Sequence, residues 1–281
     1  MIFITGGKGF IGNYIVKQLK KNKLAVQSPS KKIFNINNKN HLKKLSSKNK
    51  VVVHAAALCG AIESNKNYKS FLKTNYIGTQ NLIFEMINKK INKLIFFSSL
   101  TVFGETSKGV NEKSKFYPRH VYSLSKVLCE KLIVTLCKMH NISYIILRPT
   151  LVVGKNYKEP HALGDFVKKL SNGEKLEIYG TGNHKRDFIH PLDVADATVK
   201  SCKKLLTSKK FIGESYNLSN NKIIKIKDLA KLIKKVVCSG SIVYVNKTNQ
   251  TFSLFSNSKK ANKELNWVSK LKNIDIVKEL Q

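Results

Sequence analysis

Tyr122 and Lys126 stand four residues apart in Tyr122-Ser123-Leu124-Ser125-Lys126, so a helix through this stretch projects both from one face. A phenol beside an ammonium is an acid–base device. The cation favours the phenolate, lowers the tyrosine pKa and lets it exchange a proton near neutral pH. A carbinol–carbonyl interconversion needs that transfer, and it also needs a hydroxyl to hold the reacting oxygen. Ser99 offers one in Ser98-Ser99-Leu100-Thr101-Val102-Phe103-Gly104, 23 residues before Tyr122 and at the carboxyl end of the apolar run Lys93 to Ser98. A tyrosine and a lysine at this spacing also occur on ordinary solvated helix faces, so the pair gains its meaning from the rest of the chain.

The elements that would position this set begin at residue 2. Ile2-Phe3-Ile4 reads as a buried strand, followed by Thr5-Gly6-Gly7-Lys8-Gly9-Phe10-Ile11-Gly12 and then a helical period from Asn13 to Leu19. Strand, glycine turn and helix in that order open a dinucleotide-binding unit. Gly6 permits the tight turn, Gly9 lets backbone N–H groups approach a pyrophosphate, and Gly12 lets helix and strand pack closely. The phosphates would sit at the helix N-terminus, beside Phe10 and Ile11, where free N–H groups and the helix dipole favour negative charge. Val51 to His54 is a second buried strand running into Ala55, Ala56 and Ala57, small enough for a cofactor to lie close.

Further strands are expected at Leu24–Gln27, Lys93–Ser98 and Ser143–Leu147, with helices at Phe71–Asn88 and Tyr122–His140. Near-continuous apolar strands alternating with helices indicate an α/β fold with a doubly wound parallel sheet of Rossmann type. We expect a nucleotide-binding domain over residues 1–158 and a smaller substrate-binding region over 159–281, with 187–218 returning to the first. The later part carries expected helices at Leu163–Leu170, Pro191–Leu206, Ile226–Val237 and Ala261–Leu265, and short strands at Lys175–Tyr179, Tyr216–Leu218 and Ile242–Val245.

The spelling TGGKGFIG, the Ser99–Tyr122–Lys126 set and FSSLTVFG together resemble the extended short-chain dehydrogenase/reductases, NAD(P)-dependent nucleotide-sugar epimerases and dehydratases. Asn75 to Leu82, Leu147-Arg148-Pro149, Arg186-Asp187-Phe188-Ile189-His190 and Asn257 to Trp267 extend the likeness over nearly the whole chain. The resemblance implies an enzyme, an epimerase or 4-ketosugar reductase, in which Tyr122 is acid and base, Ser99 and Thr101 meet the sugar, and Lys126 bridges the nicotinamide ribose. It places Asn35 and Ile36 beside the adenine, and Asn75 and Pro149 at the cofactor. It assigns Arg186 and Lys247 to the substrate pyrophosphate, and His161 aligns with a histidine of the family's GDP-fucose synthases. Leu100 and Thr101 stand where its dehydratases carry Asp-Glu, so elimination of water is not expected. Leu151 replaces a substrate-contacting Asn common in the family, leaving the sugar open.

NAD sites usually hold the adenosine ribose with an acid after the second strand. No Asp or Glu precedes Glu63 here, while Lys8, Ser28, Ser30, Lys31 and Lys32 are available. That favours NADP over NAD.

A formal charge of +34 raises a nucleic-acid partner, yet only three of the 51 basic residues are arginine (Arg119, Arg148 and Arg186). Specific recognition of bases and phosphates relies on the arginine fork. The lysines travel with Asn and Ile along the whole chain, which reads as compositional bias, so no specific nucleic-acid partner is expected. A non-catalytic Rossmann protein that senses NADP or binds RNA is the rival reading, and the intact Ser–Tyr–Lys set weighs against it. The longest apolar run, Val51 to Ile62, is interrupted at His54 and Gly60, so no membrane span is expected. With the first strand starting at Ile2 no signal peptide is expected, and five scattered cysteines suggest neither zinc nor disulfides. A cytoplasmic homodimer acting on a nucleotide sugar, without metal, is the resulting expectation.

Overall fold

A computed structural model describes residues 1–106, 108–157, 162–246 and 253–281. Six strands form one parallel sheet: β1 (Ile2–Thr5), β2 (Val26–Gln27), β3 (Val51–His54), β4 (Lys93–Phe97), β5 (Ser143–Pro149) and β6 (Gly213–Leu218). Their order is β6-β5-β4-β3-β1-β2. The chain leaves β1 for β2 on one side and then crosses to β3 on the other. The carboxyl ends of β1 and β3 therefore flank the crevice where such sheets bind ligands.

Alternation along β1 shows how the two faces are filled. Ile2 and Ile4 point into a layer with Ile15 and Leu19 of α1 (Phe10–Lys21), while Phe3 points into a layer with Leu82, Ile83 and Met86 of α2 (Gly78–Asn88). Cys129, Ile133 and Cys137 of α3 (Val121–Met139) join Phe3's side, and Val194, Val199 and Leu205 of α4 (Pro191–Thr207) join the other. Both faces are covered, which is why β3 and β5 are buried along their whole length.

Three short strand pairs lie outside that sheet. Leu151–Val152 pairs with Phe188–Ile189, Lys185–Arg186 runs antiparallel to Ile224–Lys225, and Lys175–Tyr179 is parallel to Ser241–Val245. A separate core of Leu163, Val167, Leu176, Ile178, Leu229 and Ile233 packs the helices at Ala162–Ser171 and Ile226–Val237 onto the last of these pairs.

Two expectations change. The second strand is only Val26–Gln27, because Leu24 N still donates to the Leu19 carbonyl at the end of α1 and only Val26 and Gln27 register with Ile2 and Phe3. The helix expected over Phe71–Asn88 is interrupted by a π-helical turn at Leu72–Ile77. The widened turn frees the Asn75 carbonyl, which accepts from Thr79 Oγ1 and Cys129 Sγ, and buries the Asn75 side chain. Apolar periodicity carries no trace of one extra residue in a turn.

Candidate active site

The glycine turn is built as its spelling requires. Gly6 adopts φ +73°, and a Cβ there would lie 2.5 Å from Ala56 N. A Cβ on Gly12 would lie 2.1 Å from Gly6 O. Strand end, turn and helix start thus touch through backbone alone, with the Ala55–Ala57 segment against Gly6. Gly9 caps α1 without any side-chain hydrogen bond, so the first-turn N–H groups of Phe10, Ile11 and Gly12 have no capping side chain. Ser28 Oγ is buried, unpartnered and packed against Gly7, 2.0 Å from where a Cβ would stand. An open helix N-terminus, a cradle that any Cβ would fill and an orphaned hydroxyl fit a dinucleotide. Lys8, Lys31 and Lys32 are exposed around it.

The other cofactor-side residues are placed as follows. Asn35 Oδ1 accepts from Asn37 N, and its own N–H donates to His41 Nδ1. Ile36 is buried under Gly78, and Pro149 is buried at the end of β5. Asn75 is committed to bracing: its Oδ1 accepts from Leu58 N (2.8 Å), and its Nδ2 donates to Leu58 O (3.0 Å) and Ser125 Oγ (3.1 Å). It fixes the loop after β3 rather than presenting a free group to a ligand. His54, fully buried, links the same parts. Its Nδ1 meets Thr5 Oγ1 at 2.7 Å and its Nε2 meets Thr79 Oγ1 at 2.8 Å. Thr79 donates onward to the Asn75 carbonyl, so Nε2 carries the proton and donates to Thr79. Burial holds His54 neutral, its pKa lowered to about 3.

Ser99, Tyr122 and Lys126 converge at the carboxyl end of β4. Ser99 caps the short 3₁₀ turn Leu100–Phe103 and accepts from Thr101 N (3.2 Å) and Thr101 Oγ1 (2.9 Å). This leaves the Ser99 proton for Tyr122, with which it is hydrogen-bonded. His120 caps α3 and its ring stacks on Tyr122 at 6.0 Å. Lys126 is buried; its Nζ donates to Phe97 O at 2.7 Å and lies 5.8 Å from the Tyr122 ring centroid.

One sequence expectation is corrected here. Lysine was to lower the Tyr122 pKa, but burial raises it well above its ordinary value, against the opposing pull of the Ser99 hydrogen bond. The ammonium faces the Phe97 carbonyl, and desolvation of the phenolate dominates. Burial also lowers Lys126 itself.

Two neighbours were not read from the sequence. The Cys59 thiol hydrogen-bonds Tyr122 and raises its pKa, so the phenol donates to sulfur while accepting from Ser99. Tyr157 packs against Phe10 of the glycine turn, 5.0 Å between centroids, and also bears on Tyr122. Neither lies in a motif, and both arrive through loops.

On the substrate side, Arg186 is half-buried and its Nη1 donates to Lys185 O. Asp187 and Asp193, its possible ion-pair partners, are engaged elsewhere: Asp187 by Ser219 and Asn220, Asp193 by Ser269, Lys270 and Leu271. His161 and Lys247 lie outside the described residues. Among the described residues no cluster suits a metal ion and no helix is long and apolar enough to cross a membrane.

Comparison with known proteins agrees with this geometry. The profile of the NAD dependent epimerase/dehydratase family matches residues 2–219. A bifunctional UDP-glucose 4-epimerase and UDP-xylose 4-epimerase of Pisum sativum is 26% identical over 96% of this chain and 91% of its own. The UDP-glucose 4-epimerase of Stenotrophomonas maltophila, solved with NAD and formylated UDP-arabinopyranose, superposes with TM-score 0.88 at 20% identity, covering 99% of this chain and 96% of that one. RMD from Pseudomonas aeruginosa, complexed with NADPH, gives TM-score 0.85 at 19% identity, covering 99% of this chain and 96% of that one. With a family profile spanning the whole glycine-turn and Ser–Tyr–Lys architecture, this chain belongs to the NAD dependent epimerase/dehydratase family, NAD(P)-dependent enzymes of the extended short-chain dehydrogenase/reductase type.

Proposed function

We propose that the protein interconverts carbinol and carbonyl at the sugar of a nucleotide sugar, as an epimerase or a 4-ketosugar reductase. The observation that carries this reading is the Tyr122 hydroxyl, hydrogen-bonded by Ser99 at the carboxyl end of β4 with Lys126 one turn along the same helix. A bound nicotinamide would supply the hydride acceptor and donor. Tyr122 Oη would pass its proton to the sugar oxygen or take one from it. Ser99, steadied by Thr101, would hold that oxygen in line. Lys126 would hold the nicotinamide ribose and, by its charge, favour the phenolate that burial disfavours. The buried resting phenol is the form that protonates a carbonyl, which suits the reductive half of either reaction.

Arg186 is the group we assign to the substrate pyrophosphate, since a guanidinium grips paired phosphate oxygens through two donors. Ser28 Oγ, with Lys8, Lys31 and Lys32 around it, supports NADP over NAD. Residues 1–158 and 159–281 remain our division into cofactor and substrate regions, with 187–218 returning to the first. Exposed Phe84 on α2 and Leu124 and Val134 on the adjacent α3 support pairing of two copies through these helices.

The test is a screen of purified protein against UDP-, GDP- and dTDP-sugars with and without NADPH. Turnover with catalytic cofactor marks an epimerase, and NADPH consumed in step with product marks a reductase. Tyr122→Phe should lower turnover roughly 10²–10⁴-fold while leaving NADPH affinity unchanged. Equal turnover in the variant would refute the assignment of Tyr122.

A further inference from the structure

Behind the Ser–Tyr–Lys set lies a second buried cluster that takes no direct part in it. Ser98, Glu130 and Arg148 are each at most 4% exposed and come from the end of β4, from α3 and from β5. Ser98 Oγ donates to Glu130 Oε1 at 2.5 Å. Arg148 grips the same carboxylate with Nε (2.9 Å to Oε1) and Nη2 (2.5 Å to Oε2). Its guanidinium also meets the rings of Phe103 and Phe116, with centroids 5.1 and 5.4 Å away, and Nη1 reaches the Glu112 carbonyl at 3.5 Å. A buried ion pair is a weak source of stability, because desolvating two charges offsets most of their attraction.

Its location suggests another use. Glu130 is one helical turn beyond Lys126 on α3. Ser98 sits between Phe97, whose carbonyl accepts from Lys126 Nζ, and Ser99, whose hydroxyl meets Tyr122. One carboxylate therefore ties the strand end that holds both partners to the helix that carries both reacting groups.

The geometry points to Glu130 as a positioning residue: clamped by Arg148, it fixes Ser98, and so fixes where the Phe97 carbonyl and the Ser99 hydroxyl meet Lys126 and Tyr122. This rests on the roles given to Tyr122 and Lys126 above. The Glu130 charge works in the same direction, since it favours the Lys126 ammonium against burial. The other groups bearing on Lys126 are few. Tyr122 lies one turn back, Cys129 adjoins Glu130 with its thiol pushed up to about 11, Cys59 comes from the loop after β3, and His54 on β3 is held neutral. Facing Glu130 itself are Arg148, Ser98 and, one turn back, Lys126.

Two variants separate positioning from packing. Ser98→Ala cuts the tie and keeps the ion pair. Glu130→Gln with Arg148→Met removes both charges at similar volume, so no guanidinium is left buried alone. Each is compared with wild type for melting temperature, for turnover of the nucleotide sugar found in the screen, and for NADH and NADPH affinity by fluorescence across neutral to alkaline pH. The double variant, folded, should lose dinucleotide affinity at the alkaline end relative to wild type, because Lys126 loses the support of the Glu130 charge. Ser98→Ala should lower kcat about tenfold or more with KM and melting temperature little changed. Folded variants with wild-type affinity profiles and wild-type kcat would overturn the proposal and leave the cluster as packing. Should the double variant fail to fold, Ser98→Ala decides alone, by its kcat. A wild-type protein that binds neither dinucleotide overturns the functional reading, and this inference with it. One that binds them but turns over no sugar overturns the functional reading alone.

Discussion

The cofactor side and the substrate side of the site are built on different principles. On the cofactor side the contacts are mostly main chain: Gly6 against Ala56, Gly12 against Gly6, and parallel strands in fixed register. On the substrate side the pairs flanking Asp187, Lys185–Arg186 with Ile224–Lys225 and Phe188–Ile189 with Leu151–Val152, are only two residues long, and side chains around Asp187 hold the segments together. That carboxylate accepts from Ser219 Oγ at 2.5 Å and from Asn220 N, and also bonds the Ser256 backbone, so it joins three segments distant in sequence. A backbone-built site tolerates no added atom, whereas a side-chain-built one responds to a proton.

The largest expected effect tests the second half of that contrast. Burial raises Asp187 from 3.8 to about 7. The native chain then binds the proton more tightly than the unfolded chain between those values. Stability from this group is fully present below about pH 4, falls as pH rises, and is flat above about pH 7. About three units correspond to up to about 4 kcal/mol. Asp187→Asn should abolish that fall, so denaturant midpoints of variant and wild type should diverge as pH rises from 4 to 7. His54 has the opposite sign: with a native value of about 3, its contribution is present above 6.5 and is lost as pH falls. The variant should therefore show the acid loss of stability more plainly. Parallel curves for the two proteins would remove the special status of Asp187.

Next in size is Gly12→Ala. The new Cβ would stand 2.1 Å from Gly6 O and 2.7 Å from Gly7 Cα, both on backbone that packing holds in place. NADPH affinity should fall about a hundredfold, near 2.7 kcal/mol, by fluorescence titration. Asp187→Asn should leave that affinity alone. A variant of Gly12 that bound NADPH normally would show that the turn can yield, and the contrast would fail.

The smallest effect concerns charge around the turn. Lys8→Ala should weaken NADPH about tenfold and NADH hardly at all, since a charge-assisted bond to a 2′-phosphate contributes about 1.5–3 kcal/mol. The difference should shrink with salt because Lys8 is exposed. Equal losses for the two cofactors would return the preference to NAD.

Legibility in the sequence followed the same divide. The glycine turn, the buried strands and the spacing of Tyr122 and Lys126 could be read because each depends on residues within one strand, turn or helical turn. The π turn at Leu72–Ile77 could not be read, since it exists to send Asn75 inward to Leu58, a partner 17 residues away. Cys59 and Tyr157 were missed because only loop paths bring them to Tyr122. The direction of the Tyr122 shift was misjudged for a related reason: helical spacing gives the distance to Lys126 but says nothing of burial or of the Phe97 carbonyl that accepts a hydrogen bond from its ammonium.

The sequence by itself determined the fold class, the open helix N-terminus after the glycine turn and the placing of Tyr122 and Lys126 on one helix face, because local geometry and apolar pattern specify all three. Only the tertiary structure decided the electrostatics. Whether Tyr122 rests as a phenol, whether His54 stays neutral and whether Glu130 is shared between Ser98 and Arg148 depend on what residues remote in sequence take away from water. Solvation of a charge is a property of the whole packed neighbourhood, and no single stretch of chain encodes it.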